Sequence, residues 1–287
     1  MKTKATAIVI SAATLLAAGS SQGQISITSG GGLSYSQNFN ALTTNTATAQ
    51  TWTDNTATTA LDSPQVIGIV GWYVGTFTTS AATGTNGFNQ IRGGTGSSAT
   101  GSFYSFGAAG DTERALGTLP SDGITSAGAG ALRLGARFVN NTAENITGFT
   151  FSYDGEEWRV GGATSVNNQY ALSYAIFSPG AGTLANSTYT ALAAANFDTP
   201  IDSGTAGALD GNAAANRIAG LGDTVAGLSV APGDEIWLRW SDANSTSADN
   251  AMGIDNFSVL FAVPEPTSLA LLGMGLGLLW QQVRRRK

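Results

Sequence analysis

Three successive runs in the middle of the chain alternate apolar and polar side chains with a period of two. In the first, Leu132, Leu134, Ala136 and Phe138 share one face, and Arg133, Gly135, Arg137 and Val139 share the other. In the second, Phe149, Phe151 and Tyr153 alternate with Thr150 and Ser152. In the third, Tyr170, Leu172, Tyr174 and Ile176 fall together. Neighbouring side chains of a strand point to opposite faces, so each run predicts a strand with one buried face. Asn140-Asn141 and Asp154-Gly155 supply turn chemistry, with the sheet resuming over residues 156–160. Further apolar runs predict strands at 33–39, 101–106 and 252–263, and a strand pair or one bent strand around Gly71 at 66–77. Residues 226–240 read as strand, turn at Pro232-Gly233-Asp234, and strand, with Ile236, Leu238 and Trp240 inward. Residues 40–60 and 78–100 read as Thr/Asn- and Gly-rich loops, 184–197 as holding a helical turn, and 209–218 as a loop. Short strands separated by turn residues, with no linker or fixed-period repeat, predict one all-β sandwich over residues 24–262.

The pattern changes at both ends. Lys2 and Lys4 precede an apolar stretch at 5–18 and then small residues, the order of a secretory signal peptide over 1–23. Cleavage after Gly23 fits the small-residue rule, cleavage after Gly19 is its rival, and a permanent anchor is the competing reading. At the other end, Pro264 and Pro266 hold Glu265 in a stiff spacer that neither strand nor helix can continue through. An apolar run follows, with Leu269, Leu271, Leu272, Met274, Leu276, Leu278, Leu279 and Trp280. As a helix over 267–283 it would be about 25 Å long, a little short of a hydrocarbon core of about 30 Å. Gly273, Gly275 and Gly277 would give it a small-residue ridge. Arg284, Arg285, Arg286 and Lys287 close the chain and set the basic end in the cytoplasm with the body outside. The competing readings are a buried helix and a plain membrane anchor.

Composition narrows the chemistry. With both ends removed, the body has eighteen acidic residues against seven arginines and no lysine, a net charge of about −11. It lacks the clustered Lys/Arg that nucleic acid or an anionic membrane requires. The acidity suits solubility outside the cell, or cation binding. The chain has no Cys and no His, which excludes disulfides, Ser-His-Asp and Cys-His catalysis, and His or Cys metal sites. Metals would have to be hard cations on oxygen ligands, Ca²⁺ or Mg²⁺. Glu156 and Glu157 beside Trp158 are adjacent on a strand and point to opposite faces, so they are not the facing pair of a glycosidase. They read as surface acids beside a core Trp. Trp52, Trp72, Trp158, Trp237 and Trp240 could stack on sugars, though aromatic residues in a sandwich are mostly core.

The order Val263-Pro264-Glu265-Pro266, Leu/Gly-rich span, Arg cluster resembles the PEP-CTERM sorting signal of exported bacterial proteins over residues 263–287. That resemblance implies recognition by a membrane-embedded exosortase, cleavage near the motif, and delivery to the cell surface or extracellular matrix. The phrase Gly253-Ile254-Asp255-Asn256-Phe257-Ser258-Val259 resembles the closing strand of concanavalin-like and carbohydrate-binding jelly-roll domains. This second resemblance implies a jelly-roll-type sandwich and a structural Ca²⁺ with Asp255 as ligand, and Asp242 or Asp249 as weaker candidates. Hydrogen bonding of Asp255-Asn256 to local backbone is the alternative. Together these readings predict a non-enzymatic exported module, structural or associated with a glycan or exopolysaccharide. A carbohydrate-active enzyme using two carboxylates is the other reading.

Overall fold

A computed structural model describes residues 23–30, 32–51, 66, 68–77, 90–125, 130–164, 168–185 and 187–264. The predicted signal peptide apart from Gly23, Trp52, and the sorting segment from Glu265 to Lys287 lie outside the described residues. The chain opens with β1 (Ile25–Ile27), β2 (Ser34–Gln37), β3 (Gln50–Thr51) and β4 (Trp72–Phe77). It continues with β5 (Gln90–Gly94), β6 (Ser102–Phe106), β7 (Ala115–Leu119) and β8 (Ala131–Asn140). Then come β9 (Ile146–Val160), β10 (Gln169–Phe177), β11 (Thr190–Ala191), β12 (Phe197–Asp198) and β13 (Gly207–Ala208). The last three strands are β14 (Arg217–Val230), β15 (Glu235–Ala243) and β16 (Ala251–Ala262). A 3₁₀ turn at Ala193–Ala195 falls where a helical turn is predicted.

The strands form two sheets. One has the order β1-β8-β15-β10-β11, with β4 also on β8 and β12 on β10. The other runs β13-β9-β16-β7-β6-β5-β3, with β14 on β9 and β2 on β16. Their apolar faces meet in the all-β sandwich that the alternation predicts. Leu132, Leu134, Ala136, Phe138, Leu238 and Trp240 come from the first sheet, and Phe151, Tyr153, Met252, Ile254 and Phe257 from the second, all buried in one core. Trp240 packs edge-on against Tyr153 and Phe257 across the sheets, at centroid separations of 5.5 and 5.7 Å. A smaller core of Tyr104, Phe106, Ala115, Leu119, Trp158 and Ala251 covers one end of the second sheet. Phe106 stacks on Trp158 there at 5.7 Å.

Several local expectations give way. The turn predicted at Asp154-Gly155 is the interior of β9, which runs unbroken for 15 residues. Gly155 is there for packing: a Cβ would meet the Phe197 ring at 2.2 Å. The loop predicted at 78–100 contains β5, paired in parallel with β6. The predicted strand or strand pair at 66–77 is β4 alone, preceded by a turn in which the Ile69 N–H donates to the Val66 carbonyl. Ile176, expected inward with Tyr170 and Leu172, is 37% exposed, because the burial of β10 switches to Ala175 and Phe177 on its other face. Among the described residues no helix is long and apolar enough to cross a membrane.

Candidate functional site

β9 and β16 are antiparallel neighbours, with Gly253 opposite Glu156 and Asp255 opposite Asp154. Met252 and Ile254 face the main core, so Asp255 faces the opposite side of the sheet, as does Glu156 two residues from Trp158. The register shifts between Asp255 and Ser258, and Asn256 sits there at φ 49°. This bulge keeps Asp255 on the outer side while returning Phe257 to the core. Glu113 reaches the same place from the segment leading into β7. The three carboxylates each bring an oxygen to within 4.8 Å of the others.

The cluster is covered by residues 209–216. A Cβ at Gly211 would meet the Trp158 indole at 2.4 Å, so only glycine permits this close approach. The Asn212 side chain donates to Glu113 Oε2 at 2.5 Å. Trp158 Nε1 donates to Glu156 Oε2 at 2.9 Å. The remaining oxygens Glu113 Oε1, Glu156 Oε1 and Asp255 Oδ1 are buried, and the Glu113 and Asp255 carboxyls are hydrogen-bonded to each other. Glu156 is 0% and Asp255 4% exposed. Burial pushes the Glu156 carboxyl up to about 7, and the Glu113 charge adds to that. Burial, opposed by the Asn256 backbone N–H and reinforced by the Glu156 and Glu113 charges, pushes Asp255 up to about 8.

Sequence-level candidates fare unevenly here. Asp255 lies in a carboxylate cluster, and it also accepts the Asn256 backbone N–H, the local bonding that the alternative reading expects. Asp242 and Asp249 are not part of the cluster. Asp242 is buried and accepts the Thr118 hydroxyl at 2.5 Å, and Asp249 accepts the Ser245 N–H at 3.0 Å. Glu156 and Glu157 do point to opposite faces, but neither is a surface acid: both are fully buried. Glu157 accepts the Ile201 N–H at 2.8 Å and the Asn250 amide at 3.0 Å. Their burial follows from loops folding over both faces of β9, which local alternation does not reveal. Trp72, Trp158, Trp237 and Trp240 are all buried, so none of the four offers a stacking surface to a sugar. A polar cleft of about 380 Å³ near Asp122, Arg159, Asn244 and Asp249 has no aromatic lining. Val263 packs partly buried against the core immediately before Pro264.

β16, the final strand, ends at Ala262, with Val263 between it and the Pro264-Glu265-Pro266 sequence. Residues 262–286 match the PEP-CTERM protein-sorting motif, which marks an exported protein sorted through its C-terminal segment and implies recognition by an exosortase. No curated protein matches the chain. Among solved structures, TmCBM61 in complex with β-1,4-galactotriose is 8% identical at a TM-score of 0.28, over 54% of this chain and 74% of that one. The K3 adhesin domain of Lys-gingipain from Porphyromonas gingivalis is 11% identical at 0.29, over 54% and 77%. The CBM22-1 xylan-binding domain from Paenibacillus barcinonensis Xyn10C is 10% identical at 0.26, over 80% and 95%. These likenesses are too distant to carry an argument about site or ligand.

Proposed function

We propose that this chain is a non-enzymatic exported module that an exosortase processes at its C-terminal motif and delivers to the cell surface or extracellular matrix. There the sandwich serves as a structural element in contact with exopolysaccharide. The observation that carries this reading is the sorting-motif match over 262–286, which begins at the last residue of β16. Val263, Pro264, Glu265 and Pro266 would be the recognised spacer. Leu269, Leu271, Leu272, Leu276, Leu278, Leu279 and Trp280 would hold the bilayer, and Arg284, Arg285, Arg286 and Lys287 would stay in the cytoplasm. In this reading the chain is anchored in the inner membrane before cleavage, with the sandwich on its outer face.

The enzyme alternative needs two carboxylates facing each other across an open, sugar-sized groove. Glu156 and Asp255 are instead buried under Gly211 and Asn212, beside the Trp158 indole. That burial supports the non-enzymatic reading. The direct test is the intact mass of protein recovered from the envelope and medium of the producing cell. The expected C-terminus lies at or near residues 264–267. A mature protein that keeps Lys287 would overturn the sorting part of the proposal.

A further inference from the structure

We propose that Arg133 and Arg239, side by side on the outer face of the first sheet, bind the carboxylate groups of an acidic polysaccharide. The inference rests on the glycan-contact part of the proposed role and names the class of glycan.

β8 and β15 turn their even-numbered side chains into the main core, so their odd-numbered ones line the outer face. Those outward positions hold three arginines, Arg133, Arg137 and Arg239, and one acid, Glu235. In a strongly acidic body this is a local reversal of charge. Arg137 pairs with Glu235 at 2.6 Å. Arg239 lies opposite Gly135, two positions along β8 from Arg133. Gly135 lets the loop after β10 come down onto the sheet: a Cβ there would meet Leu184 Cδ2 at 2.3 Å. The Leu184 carbonyl then accepts from both arginines, from Arg133 Nη1 at 2.7 Å and from Arg239 Nη1 at 3.1 Å. Each guanidinium also lies over a ring, with Arg133 Cζ 4.1 Å from the Phe77 centroid and Arg239 Cζ 3.7 Å from that of Tyr189.

Two like charges that meet at one neutral carbonyl repel each other, the more so where water is scarce. Burial first, and then the Arg133 charge, push the Arg239 guanidinium down to about 10, against the opposing effect of Tyr189. Burial lowers Arg133 as well. Among the described residues no carboxylate pairs with Arg133. Its bond to Leu184 occupies one of its five N–H groups, and its Nε is buried without an acceptor. The carbonyl and the rings therefore fix both guanidiniums in place and leave that of Arg133 without a counter-charge. Both residues are half-buried, so solvent still reaches them.

A guanidinium fork donates two parallel N–H bonds to one carboxylate. Two neighbouring forks suit a polymer that carries single carboxylates on hydroxyl-rich rings, a uronate chain. Ser173 lies opposite Arg239 and Ser241 opposite Arg133, which adds hydroxyls to the same face. Nucleic acid and anionic membrane carry denser charge and require more extended basic surfaces than two arginines provide.

The test uses full-length protein in mild detergent with polygalacturonate, neutral dextran and dextran sulfate as probes. Polygalacturonate is expected to bind about tenfold tighter than dextran at about 20 mM salt, and to lose most of that advantage at about 300 mM. Replacing both residues, Arg133→Gln with Arg239→Gln, is expected to weaken polygalacturonate binding about tenfold or more and to leave dextran unchanged. The same arginines hold Leu184, so thermal unfolding first establishes that the double variant is folded. Unmutated protein supplies a second readout, arginine modification by phenylglyoxal mapped by mass spectrometry. Polygalacturonate is expected to protect Arg133 and Arg239 but not Arg159 on the second sheet, and free galacturonate at the same carboxylate concentration is expected to protect less. Equal affinity for polygalacturonate and dextran, tighter binding of dextran sulfate, full polygalacturonate binding by the folded double variant, or no protection of the two arginines would overturn the proposal. Protection by free galacturonate equal to that by the polymer would overturn the polysaccharide assignment. Binding to extracted exopolysaccharide without a preference for polygalacturonate would sink this inference and leave the proposed role standing, so the two fail separately.

Discussion

Buried acids set how single residues of this protein respond to pH. Burial raises Glu156 and Glu157 to about 7, Asp249 to about 6 and Asp255 to about 8. An unfolded chain titrates the same groups near pH ~4. The folded state therefore holds these protons more tightly than the unfolded state does. Their contribution to stability is complete below about pH 4 and is lost as pH rises through about 6–8. Glu156 also feels Glu113 and Asp154, which raise it, and Arg217, which lowers it, and the balance stays upward. For cation-free protein we expect Tm to fall between pH 5 and pH 8, with a shallower fall in Glu156→Gln. A Tm that climbs over that interval would contradict the assignment of these carboxyls.

At the scale of elements, β16 depends on one bulge. Asn256 adopts φ 49°, a left-handed conformation that Gly and Asn tolerate and β-branched residues do not. Asn256→Gly should therefore leave stability within about 1 kcal/mol, while Asn256→Val should cost about 1–3 kcal/mol, measured by urea unfolding. The same bulge marks how far the sequence could be read. β8 and β10 were legible because one face of each is apolar through most of its length. The first half of β9 was legible for the same reason. β7, with Ala-Leu-Gly-Thr-Leu buried on both faces, carries no alternation to detect. β14 is a long, mostly exposed edge strand with glycines at 220, 222 and 227, so it reads as loop until near its C-terminal end. The carboxylate cluster was legible at Asp255 alone. Glu113 joins through the missed strand β7, and Glu156 through a cross-strand register that the pattern of either strand by itself does not specify.

For the whole molecule, the division of labour between body and tail has a measurable consequence. Full-length protein is expected to fractionate with the cell envelope, whereas a chain ending at Val263 should pass into the medium with its Tm unchanged. If that shortened chain still co-sediments with extracted exopolysaccharide, the sandwich itself holds the glycan. If it does not, the glycan-contact part of the proposed role falls. The point of attachment also governs how the body bears force. β16 is hydrogen-bonded along one side to β9 and along the other to β7 and then β2. Tension applied at Pro264 runs parallel to this strand and across its ladder bonds, which must then slide together and cannot open one by one. A sandwich pulled by the end of such a central strand is loaded in shear, the direction in which its ladder gives way only as a whole.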